Sequence, residues 1–171
     1  DVEQLSYGEV EGRRQCWDVF EFIKAATPGF ESAYIVEIAP QIGIRETRRI
    51  VGGYMVSESD ILDCVSFPDS IGVNGWPVEA HVSGAVLLKF PKIPEARGFN
   101  QLPYRMIVPQ GIDNLFVAGR CASMTHDGQS SARVSGPCFC MGQAAGTAAD
   151  LAIRAGVVPR ALDVKLLQNI L

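Results

Sequence analysis

The sequence predicts an α/β fold, organised as mixed α+β if the chain is a fragment of a larger domain. Apolar residues recur at helical spacing near both ends, whereas short runs rich in β-branched residues lie between them. A continuous apolar run, Asn114–Ala118, precedes a long stretch of small residues, which is the order of a buried parallel strand and its helix. Hydrophobic residues make up 47% of the 171 residues and charged residues 20%, as in a folded globular protein.

Four helices are predicted from their apolar stripes and end signals. The first carries a stripe that includes Trp17 and Phe20, and Pro28-Gly29 closes it. The second opens with serines and acidic residues, a capping sequence. The third has a proline suited to its first turn and a glycine suited to its C-cap. The predicted helices are Glu9–Ala26, residues 57–62, Pro137–Gly156 and a short helix within Pro159–Leu171.

The predicted strands are short and are separated by segments rich in turn-forming residues. Alternating or continuous apolar runs with β-branched residues identify the strands. They are Ser32–Ala39, Arg49–Val56, Gly84–Phe90, Leu102–Val108 and Asn114–Ala118. Glycine, proline and other polar turn residues predict irregular loops at Phe67–His81, Pro91–Gln101 and Ser123–Arg133.

Charge and cysteine content exclude several classes of function. A net charge of −4 gives no reason to expect nucleic acid or an anionic membrane surface as a partner. No apolar run approaches the roughly 20 residues of a membrane span. The five cysteines are odd in number and form neither a CxxC pair nor a zinc-binding pattern, so we expect a reducing, cytoplasmic location and no metal site.

The third helix has one face that is nearly bare of side chains. Gly142, Ala145, Gly146 and Ala149 follow the i, i+3, i+4, i+7 spacing of a single helix face. Close packing against a neighbouring element is one explanation. The other is that the N-terminal turn of the helix, with free N–H groups and the positive end of the dipole, receives a negatively charged group.

Two polar segments contain candidate catalytic groups. In the segment before the third helix, His126 could exchange a proton near neutral pH and Arg133 could bind a carboxylate with its planar fork. The alternative is that His126 only holds a turn. Arg45 and Arg48 could face one anion, or they could lie on a solvated surface beside Glu46.

Three long motifs resemble one family of flavoproteins. They are GFESAYIVEIAPQIGIRETRRIVGGY (Gly29–Tyr54), LPYRMIVPQGIDNLFVAGR (Leu102–Arg120) and DNLFVAGRCASMTHDGQSSARVSGPCFCMGQAAG (Asp113–Gly146). The chain resembles FAD-dependent oxidoreductases related to the flavoprotein subunits of succinate dehydrogenase and fumarate reductase. The resemblance implies that the AGR turn and the start of the GQAAG helix meet the flavin. It assigns cofactor contacts to Gly119, Arg120, Gly142, Gln143, Ala144, Ala145 and Gly146.

The same resemblance implies that the chain contains parts of two domains. Residues 1–108 would belong to a substrate or cap domain, and residues 109–171 would form the C-terminal part of the FAD-binding domain, with its last strand and helix. Catalysis on a small organic substrate, by hydride transfer to or from the flavin, would use His126, Arg133 and Arg45. A histidine at the start of a strand, His81, could face the substrate or simply lie at a strand edge.

Two departures from the family limit these expectations. The sequence has no GxGxxG fingerprint between a strand and a helix, and no acidic partner for the adenosine ribose. We therefore expect the partner of this chain to be an N-terminal FAD-domain segment, and the chain alone to bind FAD weakly or not at all. Self-association is also expected. The alternatives are a non-catalytic packing module that binds no flavin, and a domain recruited to a polysaccharide hydrolase or lyase, which would need paired carboxylates.

Overall fold

A computed structural model of the protein describes residues 1–82, 85–91 and 97–171. The chain divides into two compact units, Asp1–Ile44 and Arg45–Leu171. The described residues form helices and two small antiparallel sheets, so the predicted mixed α+β class is confirmed. The expected boundary near residue 108 concerns the domains of an intact flavoprotein and stays a prediction. No helix among the described residues is long and apolar enough to cross a membrane.

The first unit consists of helix α1, Val2–Ala26, and the extended segment that follows it. The predicted helix is confirmed and begins earlier than expected, because the Asp1 side chain caps the Glu3 N–H. Arg13 donates to the Pro40 carbonyl oxygen at 2.8 Å, and the Ile42 N–H donates to Glu9 at 2.8 Å. The strand predicted at Ser32–Ala39 is wrong, since this segment has no strand partner in the unit.

The apolar stripe of α1 is not covered within its own unit. None of the residues of α1 is buried, and Val10 and Trp17 are 70% and 53% exposed. A groove of about 650 Å³ runs between the helix and the segment after it. Its apolar lining includes Val19, Phe20, Ile23, Phe30, Ala33, Tyr34 and Ile35.

The second unit contains two antiparallel sheets of two strands each. Strand β1, Ser70–Asn74, pairs with β4, Asn100–Pro103. Strand β2, Val78–Val82, pairs with β3, Ala85–Lys89, in a register that sets His81 opposite Val86. β3 confirms the predicted strand at residues 84–90, of which Gly84 lies outside the described residues.

The helices of this unit are mostly those expected from local end signals. They are α2 (Glu58–Leu62), α3 (His126–Ala132), α4 (Ser135–Ala155) and α5 (Val164–Gln168), with 3₁₀ turns at Tyr104–Ile107, Gly119–Cys121 and Pro159–Ala161. In α2 the Ser57 and Asp60 side chains form the expected capping box. Helix α4 ends at Gly156, whose φ of +63° is the left-handed conformation that favours glycine at a C-cap.

The core of the unit forms between one face of α4, the paired strands β1 and β4, and the segment that follows β4. That face buries Pro137, Met141, Ala144, Ala148 and Ala152. It packs against β1 so closely that a Cβ at Gly72 would lie 2.8 Å from the Cβ of Cys140. The largest fully buried apolar side chains are Leu102, Met106, Ile107, Met124, Met141 and Leu167.

Several predictions in this unit are wrong, and each error concerns strands or bridges that depend on pairing with another segment. Arg49–Val56 is not a strand but forms two isolated bridges, from Gly52 to Pro109 and from Val56 to Met124. The predicted loop Phe67–His81 contains β1 and most of β2. In the predicted loop Pro91–Gln101, β4 begins at Asn100, and residues 92–96 lie outside the described residues.

The region around the AGR turn also differs from its prediction. The strand predicted at Leu102–Val108 ends at Pro103 and continues as a 3₁₀ turn. The apolar run Asn114–Ala118 is extended but joins no sheet of the described chain; its Val117 N–H donates to the Ile107 carbonyl oxygen. The polar segment Ser123–Arg133 was expected as a loop, but it contains helix α3.

Candidate functional site

Short helix α3 organises the polar cluster of this chain. His126, Gln129 and Arg133 follow one another at i, i+3 and i+7, so they share one side of α3 and its C-cap. The Gln129 amide donates to the Arg45 carbonyl oxygen at 2.8 Å, which ties α3 to the segment that carries Arg45. The three residues expected to be catalytic, His126, Arg133 and Arg45, are therefore assembled around one helix.

A first group of charges centres on Glu79 of β2. Its Oε1 atom lies 2.7 Å from Nε2 of His81 and 3.3 Å from Nη2 of Arg133. Nη1 of Arg45 lies 3.9 Å from the same oxygen, and Oε2 accepts from the Trp76 indole at 3.3 Å. Alternation along β2 puts Glu79 and His81 on one face of the strand.

The two positively charged arginines of this group are held differently. Arg133 is only 10% exposed and donates a hydrogen bond to Glu79, whereas Arg45 is 53% exposed and lies beyond hydrogen-bond distance from that carboxylate. Each guanidinium has one nitrogen 3.5 Å from Nε2 of His81. Because that nitrogen is much closer to Glu79, we assign its proton to the Glu79 hydrogen bond.

A second group centres on Glu46, next to Arg45 in the sequence. The Nδ1 atom of His126 lies 2.8 Å from Oε1 of Glu46, and Arg49 pairs with the same oxygen. The His126 side chain itself is largely exposed. With Nδ1 engaged by Glu46, the Nε2 atom is the one left for proton exchange.

Both glutamates are kept in their charged form by these partners. Partial burial raises the pKa of Glu46, but hydrogen bonds from His126 and Arg49 outweigh this and leave the pKa below its ordinary value. For Glu79 the hydrogen bond with His81 is the largest cause of a lowered pKa, which partial burial opposes and Trp76 and Arg133 reinforce. Each carboxylate thus stays available as a fixed anion for its histidine.

The AGR turn lies against the first turn of α4. Gly119 has a φ of +76°, and a Cβ there would lie 3.9 Å from the sulfur of Cys138. No side-chain hydrogen bond caps the start of α4, and a Cβ at Gly136 would meet nothing within 4 Å. The first N–H groups of a 21-residue helix are therefore open to an external acceptor. Arg120 is exposed beside this turn, and its charge opposes the rise in the pKa of Cys138 that burial causes.

The GQAAG segment lies farther along α4 than expected. The helix begins at Ser135, so Gly142 to Gly146 occupy its middle turns and not its N-terminus. Ala144 is buried in the core and Ala145 is half-buried, whereas Gly142, Gln143 and Gly146 are exposed. A Cβ at either glycine would meet nothing within 4 Å, so this face of the helix is open in the described chain.

Two buried polar atoms remain without a hydrogen-bond partner among the described residues. They are Oγ of Ser123 and Oε1 of Gln129. Gln129 is the residue that ties α3 to Arg45, so its unpaired oxygen lies in the same assembly as the two glutamate groups. Ser123 packs against Gly52, where an added Cβ would lie 2.8 Å from the serine Cβ.

Another cavity of this unit lies away from these groups and has balanced charges. It measures about 590 Å³ and is lined by Tyr104, Arg105 and Arg160 among others. Arg105 is paired with Asp69 at 2.9 Å, and Arg160 with Asp113 at 2.5 Å. Unlike the Glu79 group, this cavity has no excess of charge among these pairs that would attract an ion.

Glu79 was not identified from the sequence, and Glu46 was identified only as a possible member of a surface ion pair. The E-x-H spacing of Glu79 and His81 was a usable signal, because alternate residues of a strand share a face. This signal was not used, because the segment was predicted to be a loop and alternation has no meaning there.

Comparison with known proteins gives one family. No curated protein and no solved structure matches this chain. Within the described residues, no group of three or more His, Cys, Asp or Glu side chains could hold a metal ion. The family model for FAD dependent oxidoreductases matches residues 1–171. The chain therefore belongs to the FAD-dependent oxidoreductase family.

Proposed function

We propose that this chain provides the flavin-edge and substrate-side residues of an FAD-dependent oxidoreductase that transfers a hydride between the flavin and a small organic substrate. An N-terminal FAD-domain segment would bind the ADP part of the cofactor, because this sequence has no GxGxxG fingerprint. The observation that carries the proposal is the contact between the Gly119 turn and the uncapped first turn of α4, in a chain of this family.

The residues at this junction fit one edge of a flavin. The open N–H groups at Ser135 and Gly136 and the positive end of the α4 dipole suit an anionic, hydrogen-bond-accepting edge. The Gly119 turn and the exposed Arg120 lie beside them. When bound, FAD supplies the two-electron chemistry. The candidates Gly142, Gln143, Ala144, Ala145 and Gly146 would act mainly through packing of the helix and its open face.

His126 and Glu46 form the proton-handling pair of the proposal. Glu46 holds Nδ1 of His126, so Nε2 of the exposed imidazole can take or give a proton as the substrate loses or gains a hydride. Arg49 also pairs with Glu46 and helps to keep the Glu46 carboxylate charged. Arg133, which is buried against Glu79, is a positioning residue, and Arg45 is the exposed cation of the site.

The finer points of the resemblance belong to this proposal as well. A relation to the succinate dehydrogenase and fumarate reductase flavoproteins is supported by the three long motifs. All five cysteines are free, which supports a reducing, cytoplasmic setting. The open small-residue face of α4 supports contact with the N-terminal segment or with a second copy of the chain.

A second candidate function is a packing module that binds no flavin by itself. The missing fingerprint and the uncovered faces of α1 and α4 favour it. The two candidates predict different behaviour of the chain when a polypeptide that contains the GxGxxG half of an FAD domain is added.

A flavin titration tests the proposal. The chain alone, and the chain mixed with the N-terminal segment, are titrated with FAD while absorbance at the flavin band is followed. Binding by the mixture only is the expected result. Gly136→Asp, which puts a negative charge at the start of α4, should weaken binding by about tenfold or more. Gly43→Asp is the matched control, since a Cβ also fits there freely. Absence of binding by two folded pieces would overturn the proposal.

A further inference from the structure

We propose that Arg45 and His81 form a binding site for a small monocarboxylate, positioned by Glu79. The inference rests on the proposed function in one respect, because it identifies this anion with the substrate of the oxidoreductase. The site itself is argued from the charges and contacts of the Glu79 group.

The Glu79 group carries more positive than negative charge. Among the residues that the structure describes, the guanidinium groups of Arg45 and Arg133 share a single carboxylate oxygen of Glu79, so one of their two positive charges has no partner within this group. The Glu46 group adjoins it but does not supply the missing anion, since Glu46 is engaged by Arg49 and His126. An excess positive charge of this kind attracts an anion.

The excess charge is exposed at Arg45. Arg133 is committed to Glu79 and is only 10% exposed, so its guanidinium is held in place. Arg45 makes no hydrogen bond to Glu79 at 3.9 Å and is 53% exposed, which leaves its planar donor fork accessible. A fork of this geometry matches the two oxygens of a carboxylate.

The His81 ring lies next to Arg45 and contacts the site, although its Nε2 proton is assigned to Glu79. Its Nε2 atom lies 2.7 Å from Glu79 and 3.5 Å from each guanidinium, so Glu79 fixes the ring while two cations stand close to it. The groups that face the ring are Glu79 of β2, Arg133 at the end of α3, and Arg45; the paired residue on β3 is the apolar Val86. A bound anion relieves the repulsion among these cations.

The net charge favours a monocarboxylate over phosphate. One unbalanced positive charge matches one negative charge, and a dianion would face the fixed carboxylate of Glu79. The position also suits a substrate. Arg133, whose side chain contacts Glu79, directly precedes Val134, the N-cap of α4, so one residue links the Glu79 group to the helix at which the flavin edge is proposed.

Nuclear magnetic resonance of the histidine rings tests this site without flavin. The chain has two histidines, so the ring signals of His81 and His126 are distinguished with a His126→Gln variant. Sodium acetate is the probe, and sodium chloride at equal ionic strength is the control for screening. Acetate should shift the His81 signals saturably, whereas chloride should not.

Substitutions then identify the donor. Arg45→Gln should weaken the apparent acetate affinity by about tenfold or more, because a charge-assisted hydrogen bond is lost. The fold should persist, since Gln129 bonds the backbone carbonyl of residue 45 and not its side chain. Arg48→Gln, at an exposed neighbouring arginine, should change the affinity by less than about twofold. If Arg45→Gln also shifts the His126 signals, the substitution has disturbed the neighbouring Glu46 group. Arg45→Lys, which keeps the charge, is then used in its place and should weaken acetate binding by a smaller factor.

The outcomes separate this inference from the proposed function. Unchanged acetate affinity in the Arg45 variants, or an equal response to chloride, overturns the site. Tighter binding of inorganic phosphate than of acetate overturns its assignment to a carboxylate. If the chain binds acetate but never binds FAD, even with the N-terminal segment, the anion site is supported and the oxidoreductase proposal is wrong. If FAD binds and acetate causes no response, the oxidoreductase proposal is supported and the anion site is wrong.

Discussion

Oε1 of Glu46 lies 2.8 Å from Nδ1 of His126, and this contact joins residues that are 80 positions apart in the sequence. It fixes the imidazole at the first turn of α3 and engages one of its two ring nitrogens. The contact also sets the ionisation of Glu46, whose pKa lies below its ordinary value despite partial burial. One carboxylate therefore orients the proposed proton donor and acceptor of the site.

Glu46→Gln should destabilise the second unit by about 1–2 kcal/mol at neutral pH, because a charged acceptor shared by His126 and Arg49 is lost. The loss should depend on pH. The pKa of Glu46 is lower in the folded chain than its ordinary value of 4.5, so its contribution is fully present above that value and disappears as the pH falls below it.

Urea unfolding of the wild type and of Glu46→Gln across this pH range measures the effect. The difference between the two free energies of unfolding should shrink towards zero on the acid side. Glu58→Gln is the control, since Glu58 makes an exposed pair with Lys89 and should cost less than about 1 kcal/mol. A difference that stays constant down to strongly acid pH would show that ionisation of Glu46 does not stabilise the fold.

Glu79→Gln should be more damaging, at about 2–4 kcal/mol, because it leaves the nearly buried charge of Arg133 without its carboxylate. The double variant Glu79→Gln with Arg133→Gln removes both charges. We expect it to be more stable than the sum of the single variants predicts, by about 1–2 kcal/mol. A double-mutant cycle of unfolding free energies measures this coupling, and additive effects would show that the two residues do not act as a pair.

Ser57→Ala tests the capping box of α2. The Ser57 side chain accepts from the Asp60 N–H, and Asp60 in turn accepts from the Ser57 N–H at 2.8 Å and from the Tyr54 hydroxyl at 2.8 Å. Loss of the cap should cost about 1 kcal/mol in thermal or urea unfolding. Ser59→Ala, at an exposed serine on the same turn, should cost clearly less. Equal effects at both positions would show that the cap contributes nothing specific.

Elements with local end signals were predictable from the sequence. The capping residues of α2 and the glycine that ends α4 lie directly at the ends of these helices, so no distant segment decides where the helices begin or end. Helix α3 was not predicted, because its own residues do not favour a helix. Its Gly128, Ser130 and Ser131 have poor helix propensity, and the helix is stabilised by burial of these residues and not by their local preference.

Strand pairing and the candidate site depend on long-range contacts that no local pattern shows. Asn114–Ala118 has the composition of a buried strand but no neighbouring strand in the described chain, and composition alone does not provide one. The candidate catalytic residues were named from their chemistry. Glu79 was not named, since Glu79 and Arg133 are 54 positions apart and meet only in the folded chain.

Two helical glycines offer a direct test of which helix faces are covered. A Cβ at Gly142 of α4 meets nothing within 4 Å, so Gly142→Ala should stabilise the isolated chain by about 0.5–1 kcal/mol through a gain in helix propensity. Gly128 of α3 faces the Val56 carbonyl oxygen, and an added Cβ would overlap it. Gly128→Ala should therefore destabilise the chain by about 1–3 kcal/mol. Thermal unfolding of both variants measures the contrast.

The Gly142→Ala variant also tests what covers α4 in the assembled protein. If the small-residue face packs closely on the N-terminal segment or on a second copy, Gly142→Ala should stabilise the isolated chain and yet weaken the assembly. Analytical ultracentrifugation of the chain alone and mixed with the segment measures this, with Gly43→Ala as the control at another open glycine. A variant that stabilises the chain and leaves every assembly unchanged would place the interface elsewhere, because a methyl group cannot enter a close helix contact without pushing the partner away.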